Sequence, residues 1–203
     1  MQLLIASRNP QKKAELAAIL SDMGWDLLNL NDIADIPEVV EDGDSFNANA
    51  VKKAVETARY SAHLSLGDDS GLVVDALDGA PGIYSARFAG KEANDANNNA
   101  KLLSLLQEVP DEQRGARFVC AIAVAAPDGR FWTMEGICEG RIGRVADGTS
   151  GFGYDPLFIP NGCTGSFATM SAEEKHRISH RGRALQELQR CLPILMAELN
   201  STT

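Results

Sequence analysis

The chain has 203 residues, enough for one sizeable hydrophobic core, and its 44% hydrophobic and 23% charged content is ordinary for a globular protein. Its 28 acidic residues against 19 basic ones give a formal net charge of -9, which argues against a polyanion such as DNA as partner. A small phosphate ligand stays compatible with this charge, because one part of an acidic protein can be locally basic.

The cysteines and the apolar runs indicate a cellular compartment. Cys120, Cys138, Cys163 and Cys191 are scattered and include no C-x-x-C pair, so reduced thiols are favoured over a disulfide framework or a zinc site. The chain starts without a basic leader, and no apolar run approaches the roughly 18 residues of a membrane span. We expect a cytoplasmic protein with one domain, residues 1–203, and no membrane partner.

The first predicted elements are a buried strand and a helix. Residues 3–6 form a continuous apolar run, and Asn9-Pro10 supplies a favoured N-cap followed by a favoured first helical residue. A helix start offers unbonded N–H groups and a positive dipole end, to which Lys12 adds a charge. Two interpretations stay open: a phosphate site, or an ordinary helix with solvated lysines. The glycine-rich P-loop pattern is absent.

An acidic segment and a second helix follow. Residues 31–45 are broken by proline and glycine, which predicts a mostly solvated loop with a short strand near Val39-Val40. The next helix begins near Ser45 and has an alanine-rich apolar face. Asn49 and Lys53, four residues apart at the border of that face, could both reach into a cleft.

Asp68-Asp69, between Gly67 and Gly71, is the pair that most needs a physical explanation. Two neighbouring carboxylates repel each other, and a partly desolvated pair requires a compensating cation such as Mg²⁺. The alternative is a solvated turn, since Gly and Asp are ordinary turn residues. A separate strand is expected at residues 72–74.

The second half predicts a helix, a β-hairpin, an aromatic loop and two final helices. The residues are 95–107 for the helix, 117–125 and 131–137 for the hairpin, 142–145 for a further short strand, 171–174 for a capping box and 179–199 for the last helix. Phe152 and Tyr154 are framed by glycines, which suits either ring stacking or a loop with core aromatics. His180 and Arg181 could read an acceptor-rich ligand from the last helix start, although a lone histidine there is more often structural.

Taken in order, five segments resemble the inosine/xanthosine triphosphate pyrophosphatase family over nearly the whole chain. They are Ser7-x-Asn9-x-x-Lys12; residues 41–46 with Asn49, Ala50 and Lys53; residues 68–72 with 80–87; residues 151–156; and residues 179–182. The resemblance implies an α/β fold with an elongated mixed sheet flanked by helices, two lobes around a central cleft, and a homodimer. It also implies Mg²⁺-dependent hydrolysis of non-standard purine nucleoside triphosphates to monophosphate and pyrophosphate.

The same resemblance implies roles for individual residues. Asp69 would be the general base and, with Glu41, a metal ligand. The triphosphate would be held by Ser7, Asn9, Lys12 and Lys53, with Ser70 against the nucleotide. The base would be enclosed and read by Phe152, Gly153, Tyr154, Asp155, Lys175, His180 and Arg181.

Three positions depart from the family pattern. Arg8 replaces a loop glycine and could add a phosphate contact, while Val40 and Ala48 stand where many relatives carry glutamate. These departures keep open a nucleotide-binding sensor that has lost turnover. A pyrophosphatase acting on a modified pyrimidine nucleotide is a further alternative.

Overall fold

The computed structural model describes residues 2–21, 24–33 and 36–201. Six strands form one sheet in the order β2-β1-β3-β4-β5-β6. They are β1 (Gln2–Ile5), β2 (Asp26–Asn29), β3 (Ser65–Val74), β4 (Gly115–Ala125), β5 (Phe131–Ile142) and β6 (Phe158–Pro160). Because β1 pairs in parallel with β2 and β3 while β5 and β6 are antiparallel, the sheet is mixed, as predicted.

Five α-helices are found in the described part of the chain, and most begin at the predicted cap. They are α1 (Pro10–Leu20), α2 (Phe46–Ser61), α3 (Asp95–Leu105), α4 (Ala172–Ile178) and α5 (His180–Asn200). Asn9, Ser45 and Ser171 each accept a hydrogen bond from the first turn of the helix that follows them, and Ser171 forms the predicted capping box. Among the described helices, none combines the length and apolar character needed to cross a membrane.

The chain divides into two compact units, each with its own core. The first unit comprises Met1–Asp69, Cys120–Gly136 and Arg181–Thr203, and the second comprises Ser70–Val119 and Ile137–His180. Leucines of β1, α1 and α5 pack with alternate residues of β4 in the first unit. In the second unit, Phe118, Phe158 and Phe167 pack together with leucines of α3.

The Asp68-Asp69 pair lies in the middle of a strand. β3 runs without interruption from Ser65 to Val74, so the alternative of a solvated turn is excluded, and the prediction of a separate strand at residues 72–74 is wrong. Both carboxylates are buried. Successive side chains of a strand point to opposite faces, so the two neighbours contact different partners.

Other differences are confined to short strands. The segment at Val39-Val40 is irregular, so the strand predicted there is wrong. The separate strand expected at residues 142–145 is wrong, because β5 continues to Ile142 and residues 143–145 are irregular. The short strands β2 and β6, four and three residues long, were not predicted, because their sequences carry no clear alternation.

Gly67 of β3 is held close to the backbone of α2. A Cβ added there would overlap with Ala50 O and lie 2.8 Å from Ala54 N. Both are main-chain atoms, which cannot rotate away as a side chain can. We expect Gly67→Ala to lower the free energy of unfolding by about 1–3 kcal/mol, the usual effect of overpacking. Urea unfolding measures the change. Gly143→Ala, whose Cβ would meet its nearest atom at 3.4 Å, is the control, and equal stability of both variants would contradict the close contact.

Candidate active site

Asp68 is the centre of a buried charge cluster in the first unit. Lys12 Nζ lies 2.8 Å from Asp68 Oδ1. Arg181 donates to the same carboxylate from Nε, at 2.9 Å to Oδ2, and from Nη2, at 3.3 Å to Oδ1. Arg181 is 1% exposed. Two cations therefore meet at one carboxylate, a compensated arrangement in a site that water hardly reaches.

Two further side chains complete this cluster. Glu15 of α1 accepts a hydrogen bond from Arg181 Nη1. The Cys120 thiol donates to Asp68 Oδ2 at 3.2 Å. Burial and the Asp68 charge hold the pKa of the Cys120 thiol well above its usual range, so this cysteine stays protonated.

The pKa values show that the cluster remains ionised. Burial disfavours the Asp68 carboxylate, but Arg181 and Lys12 outweigh burial and hold the pKa of Asp68 well below its usual range. Burial likewise opposes the charge on Lys12, and the Asp68 carboxylate outweighs it and raises the pKa of Lys12. The charge of Asp68 is therefore compensated by two cations, whereas the neighbouring Asp69 has a different environment.

Asp69 faces the side of α2 that carries Asn49 and Lys53. Asn49 Nδ2 donates to Asp69 Oδ2 at 3.0 Å, and Lys53 Nζ lies 3.6 Å from Oδ1. Lys53 also lies 3.1 Å from Glu41 Oε1. The predicted metal carboxylates Asp69 and Glu41 thus converge on a single ammonium group.

The environment of Asp69 is suited to accepting a proton. Burial raises the pKa of Asp69, and this exceeds the opposing effects of Lys53, Lys12 and the Asn49 hydrogen bond. A carboxylate that is costly to keep charged is a stronger base than an exposed one. Asn49, bonded to Oδ2, and Lys53, near Oδ1, both help to orient this carboxylate.

Asn49 also connects Asp69 to the segment that carries Glu41. Its Oδ1 accepts from Gly43 N at 2.8 Å while its Nδ2 donates to Asp69. The sequence indicated that Asn49 could reach a cleft, but not that it binds these two partners. The detectable signal was its spacing of four residues from Lys53.

The residues present fit a magnesium ion. Mg²⁺ is usually bound by one or two carboxylates together with substrate phosphates and water. Asp69 and Glu41 supply two carboxylates beside Lys53, and in the described ranges no group of three or more His, Cys, Asp or Glu side chains is placed to hold a metal. This donor set suits an ion that arrives with a phosphate better than a metal enclosed by protein alone.

The loop before α1 differs from the expectation in one respect. Asn9 Oδ1 accepts from the N–H groups of Gln11, at 2.9 Å, and Lys12, at 3.0 Å, so these two donors are not open to an anion in this structure. Ser7 Oγ accepts from Asn9 N at 3.3 Å. Arg8, the departure from the family glycine, donates to Ile36 O at 3.1 Å. The loop therefore has the Lys12 ammonium and the exposed Arg8 as its cations.

The second unit contains the aromatic loop and its polar neighbours. Lys175 Nζ lies 2.6 Å from Asp155 Oδ2 and 5.1 Å from the centre of the Phe152 ring. Asp155 Oδ2 also accepts from Phe152 N at 2.9 Å. The Tyr154 hydroxyl donates to Ser85 O at 2.8 Å, and burial raises the pKa of Tyr154, so its hydroxyl remains protonated. Phe152, Asp155 and Lys175 are brought together as one group.

His180, Ser70 and Arg181 are the remaining predicted residues, and each has its own surroundings. The His180 ring stacks on Phe118 with centroids 4.6 Å apart and an angle of 11° between the planes. Ser70 follows Asp69 in β3 and is half-buried. The contacts of Arg181 described above are with carboxylates of the first unit, and its predicted role in reading a base stays a prediction.

Comparison with known proteins identifies the family. The sequence model of the Ham1 family matches residues 3–191. The chain belongs to the Ham1 family. A protein of Desulforamulus reducens named dITP/XTP pyrophosphatase is 50% identical over 192 residues, covering 95% of this chain and 96% of the relative.

Solved structures are similar to nearly the whole of this chain. The Ham1 protein of Coxiella burnetii superposes with a TM-score of 0.86 at 36% identity and covers 95% of this chain and 98% of its own. The dITP/XTP pyrophosphatase of Mycobacterium abscessus gives 0.75 at 46% identity, with 93% and 97% covered.

These matches confirm three predictions. The resemblance to the family is confirmed, the mixed α/β fold is confirmed, and so is the prediction that the chain is an enzyme. The roles given to individual residues stay predictions.

Proposed function

We propose that this Ham1-family chain hydrolyses the non-standard purine nucleotides ITP, dITP and XTP to the monophosphate and pyrophosphate, with Mg²⁺. The observation that carries the proposal is the convergence of Asp69 and Glu41 on Lys53 in a chain half identical to a relative named dITP/XTP pyrophosphatase. The role is to remove these nucleotides from the nucleotide pool. We place the enzyme in the cytoplasm and propose that it acts as a homodimer with one domain per chain.

Asp69 and its neighbours would perform the chemistry. Asp69 accepts the proton of the attacking water, since burial raises its pKa and Asn49 orients its carboxylate. Asp69 and Glu41 would hold Mg²⁺. When bound, the ion neutralises phosphate charge as it develops. Lys53, 3.1 Å from Glu41, adds a positive charge at the same place.

The substrate would be held through its triphosphate and through its base by different sets of residues. Ser7, Arg8, Asn9, Lys12 and Lys53 bind the triphosphate, with Ser70 against the nucleotide. Phe152 stacks on the base, and Lys175 donates a hydrogen bond. Gly153, Tyr154, Asp155, His180 and Arg181 enclose the base.

Preference for these purines over adenine has a simple chemical reason. A 6-keto group accepts a hydrogen bond where adenine's 6-amino group donates one, so an N–H that Lys175 directs at this position would face the amino hydrogens of adenine instead of an acceptor. Such a mismatch costs on the order of 1–3 kcal/mol.

Pyrophosphate release from a panel of nucleotides tests the proposal. We expect turnover of dITP, ITP and XTP in the presence of Mg²⁺, far slower turnover of ATP, and loss of activity in EDTA that added Mg²⁺ restores. The panel includes modified pyrimidine triphosphates. Turnover of those alone would favour the pyrimidine enzyme, and binding of ITP without pyrophosphate release would favour the sensor. Either result would overturn the proposal.

A further inference from the structure

Helix α3 binds both backbone groups of one glycine in the aromatic loop, residues 151–155. Gly153 N donates to Asp95 Oδ2 at 2.7 Å. Asn99 Nδ2 donates to Gly153 O at 2.9 Å. Asp95 and Asn99 are four residues apart, so they lie on the same face of α3. A single peptide segment is therefore fixed by two side chains of one helix.

Gly153 needs such fixing because its backbone is unusual. Its φ is +61°, in the left-handed region that side-chain-bearing residues rarely adopt. A Cβ at this position would meet no atom within 4 Å. Glycine is therefore favoured here by the backbone conformation and not by lack of space. Glycine is also the residue with the greatest freedom to leave a given conformation.

The loop is fixed at its other end by a different set of bonds. Asp155 accepts from Phe152 N, and Lys175 lies 2.6 Å from Asp155. Gly153 stands directly after Phe152, the ring we assign to base stacking. The direction of that ring depends on the peptide that α3 holds.

Helix α3 is itself well anchored. Asn98, 3% exposed, accepts from Ala89 N at 2.7 Å and donates to Ala86 O at 3.2 Å. Asn94 caps the helix by accepting from Asn97 N. The neighbouring asparagines at residues 98 and 99 therefore have different partners. Asn98 attaches the helix, and Asn99 faces the loop.

We propose that Asp95 and Asn99 are positioning residues that hold the aromatic loop in its base-binding conformation. The base-binding role of the loop rests on the proposed function, whereas the contacts of Asp95 and Asn99 with Gly153 do not depend on it. Neither residue is expected to take part in the chemistry, so their loss should weaken substrate binding while leaving the hydrolytic step nearly intact.

Three variants and one control separate this role from a general effect on α3. Asp95→Ala and Asn99→Ala each remove one bond to Gly153, whereas Asp95→Asn retains an acceptor oxygen. Asn97→Ala is the control, since Asn97 donates to Glu92 O at 2.7 Å in the same first turn without reaching the loop. All four are compared by hydrogen exchange of the Gly153 amide and by steady-state kinetics with dITP.

We expect Asp95→Ala to speed exchange of the Gly153 amide by about tenfold, the loss of one good hydrogen bond, and both alanine variants to raise KM for dITP by about tenfold. kcat should change less than about twofold. Asp95→Asn should recover much of the loss, and Asn97→Ala should resemble the unaltered protein.

The outcomes distinguish this inference from the proposed function. Unchanged exchange in Asp95→Ala, or equal KM changes in the Asn97→Ala control, would overturn the positioning role. So would a fall in kcat with KM unchanged. If the unaltered protein hydrolyses no purine triphosphate, the proposed function fails, and the exchange result still shows whether α3 holds the loop.

Discussion

Replacing Asp69 by asparagine is expected to lower kcat by about 10²–10⁴-fold, the usual contribution of a positioned general base. Asparagine has nearly the same shape but cannot accept the proton of the attacking water, and it is a weaker ligand for Mg²⁺. The fold should persist, because burial already disfavours the charge on Asp69 and the substitution removes that charge. Single-turnover release of pyrophosphate from dITP measures the loss, and thermal unfolding shows that the variant is folded.

A matched control removes a carboxylate that has no place in the proposed chemistry. Asp128 is exposed and pairs with Arg130 at 2.7 Å, so Asp128→Asn should retain full turnover. A folded Asp69→Asn variant with near-normal kcat at saturating Mg²⁺ would refute Asp69 as the base. A loss of turnover seen only at low Mg²⁺ concentration would show that Asp69 acts as a metal ligand and not as the base.

Replacing Asp68 by asparagine is expected to have the largest effect on stability, about 3–5 kcal/mol of unfolding free energy. The substitution leaves Lys12 and Arg181 beside each other at a buried position without the carboxylate that they share, and Glu15 then compensates Arg181 only in part. The loss exceeds what a surface ion pair contributes, because water cannot replace the missing charge here. Urea unfolding followed by circular dichroism measures it.

The control is an ion pair of similar length on the surface. Arg144 Nε lies 2.7 Å from Asp111 Oδ1, with both side chains at least half exposed, so Asp111→Asn should cost no more than about 1 kcal/mol. Removing a cation together with the carboxylate, in Asp68→Asn with Arg181→Met, should recover part of the loss. Equal effects of Asp68→Asn and Asp111→Asn would show that the buried cluster contributes little to stability.

The distinction between Asp68 and Asp69 shows what a sequence motif omits. The motif places two carboxylates next to each other, and a shared cation is the natural expectation for them. In the structure the pair lies in β3, and the alternation of side chains sends Asp68 to Lys12 and Arg181 and Asp69 to Asn49 and Lys53. Their separate environments result from the strand in which they lie. The strand was hard to predict because the flanking glycines are also typical of a turn.

The contacts of Arg181 give a second example. Its place at the start of a helix, next to a histidine, left ligand recognition open beside a structural role. The structure places its guanidinium against Asp68 and Glu15, which lie 113 and 166 residues away along the chain. No local pattern indicates a partner at that separation. The same holds for Asp95 and Asn99, whose bonds to Gly153 span 58 and 54 residues.

The sequence by itself determined the family, the class of fold and the places where helices begin. These are local properties, because caps such as Asn9, Ser45 and Ser171 act on the first turn that follows them, and apolar periodicity is read within one element. Only the tertiary structure decided which charges meet. Ion pairs and buried hydrogen bonds depend on distance in space, so the division between Asp68, compensated by two cations, and Asp69, raised in pKa by burial, could be assigned only after β3, α1, α2 and α5 were in place.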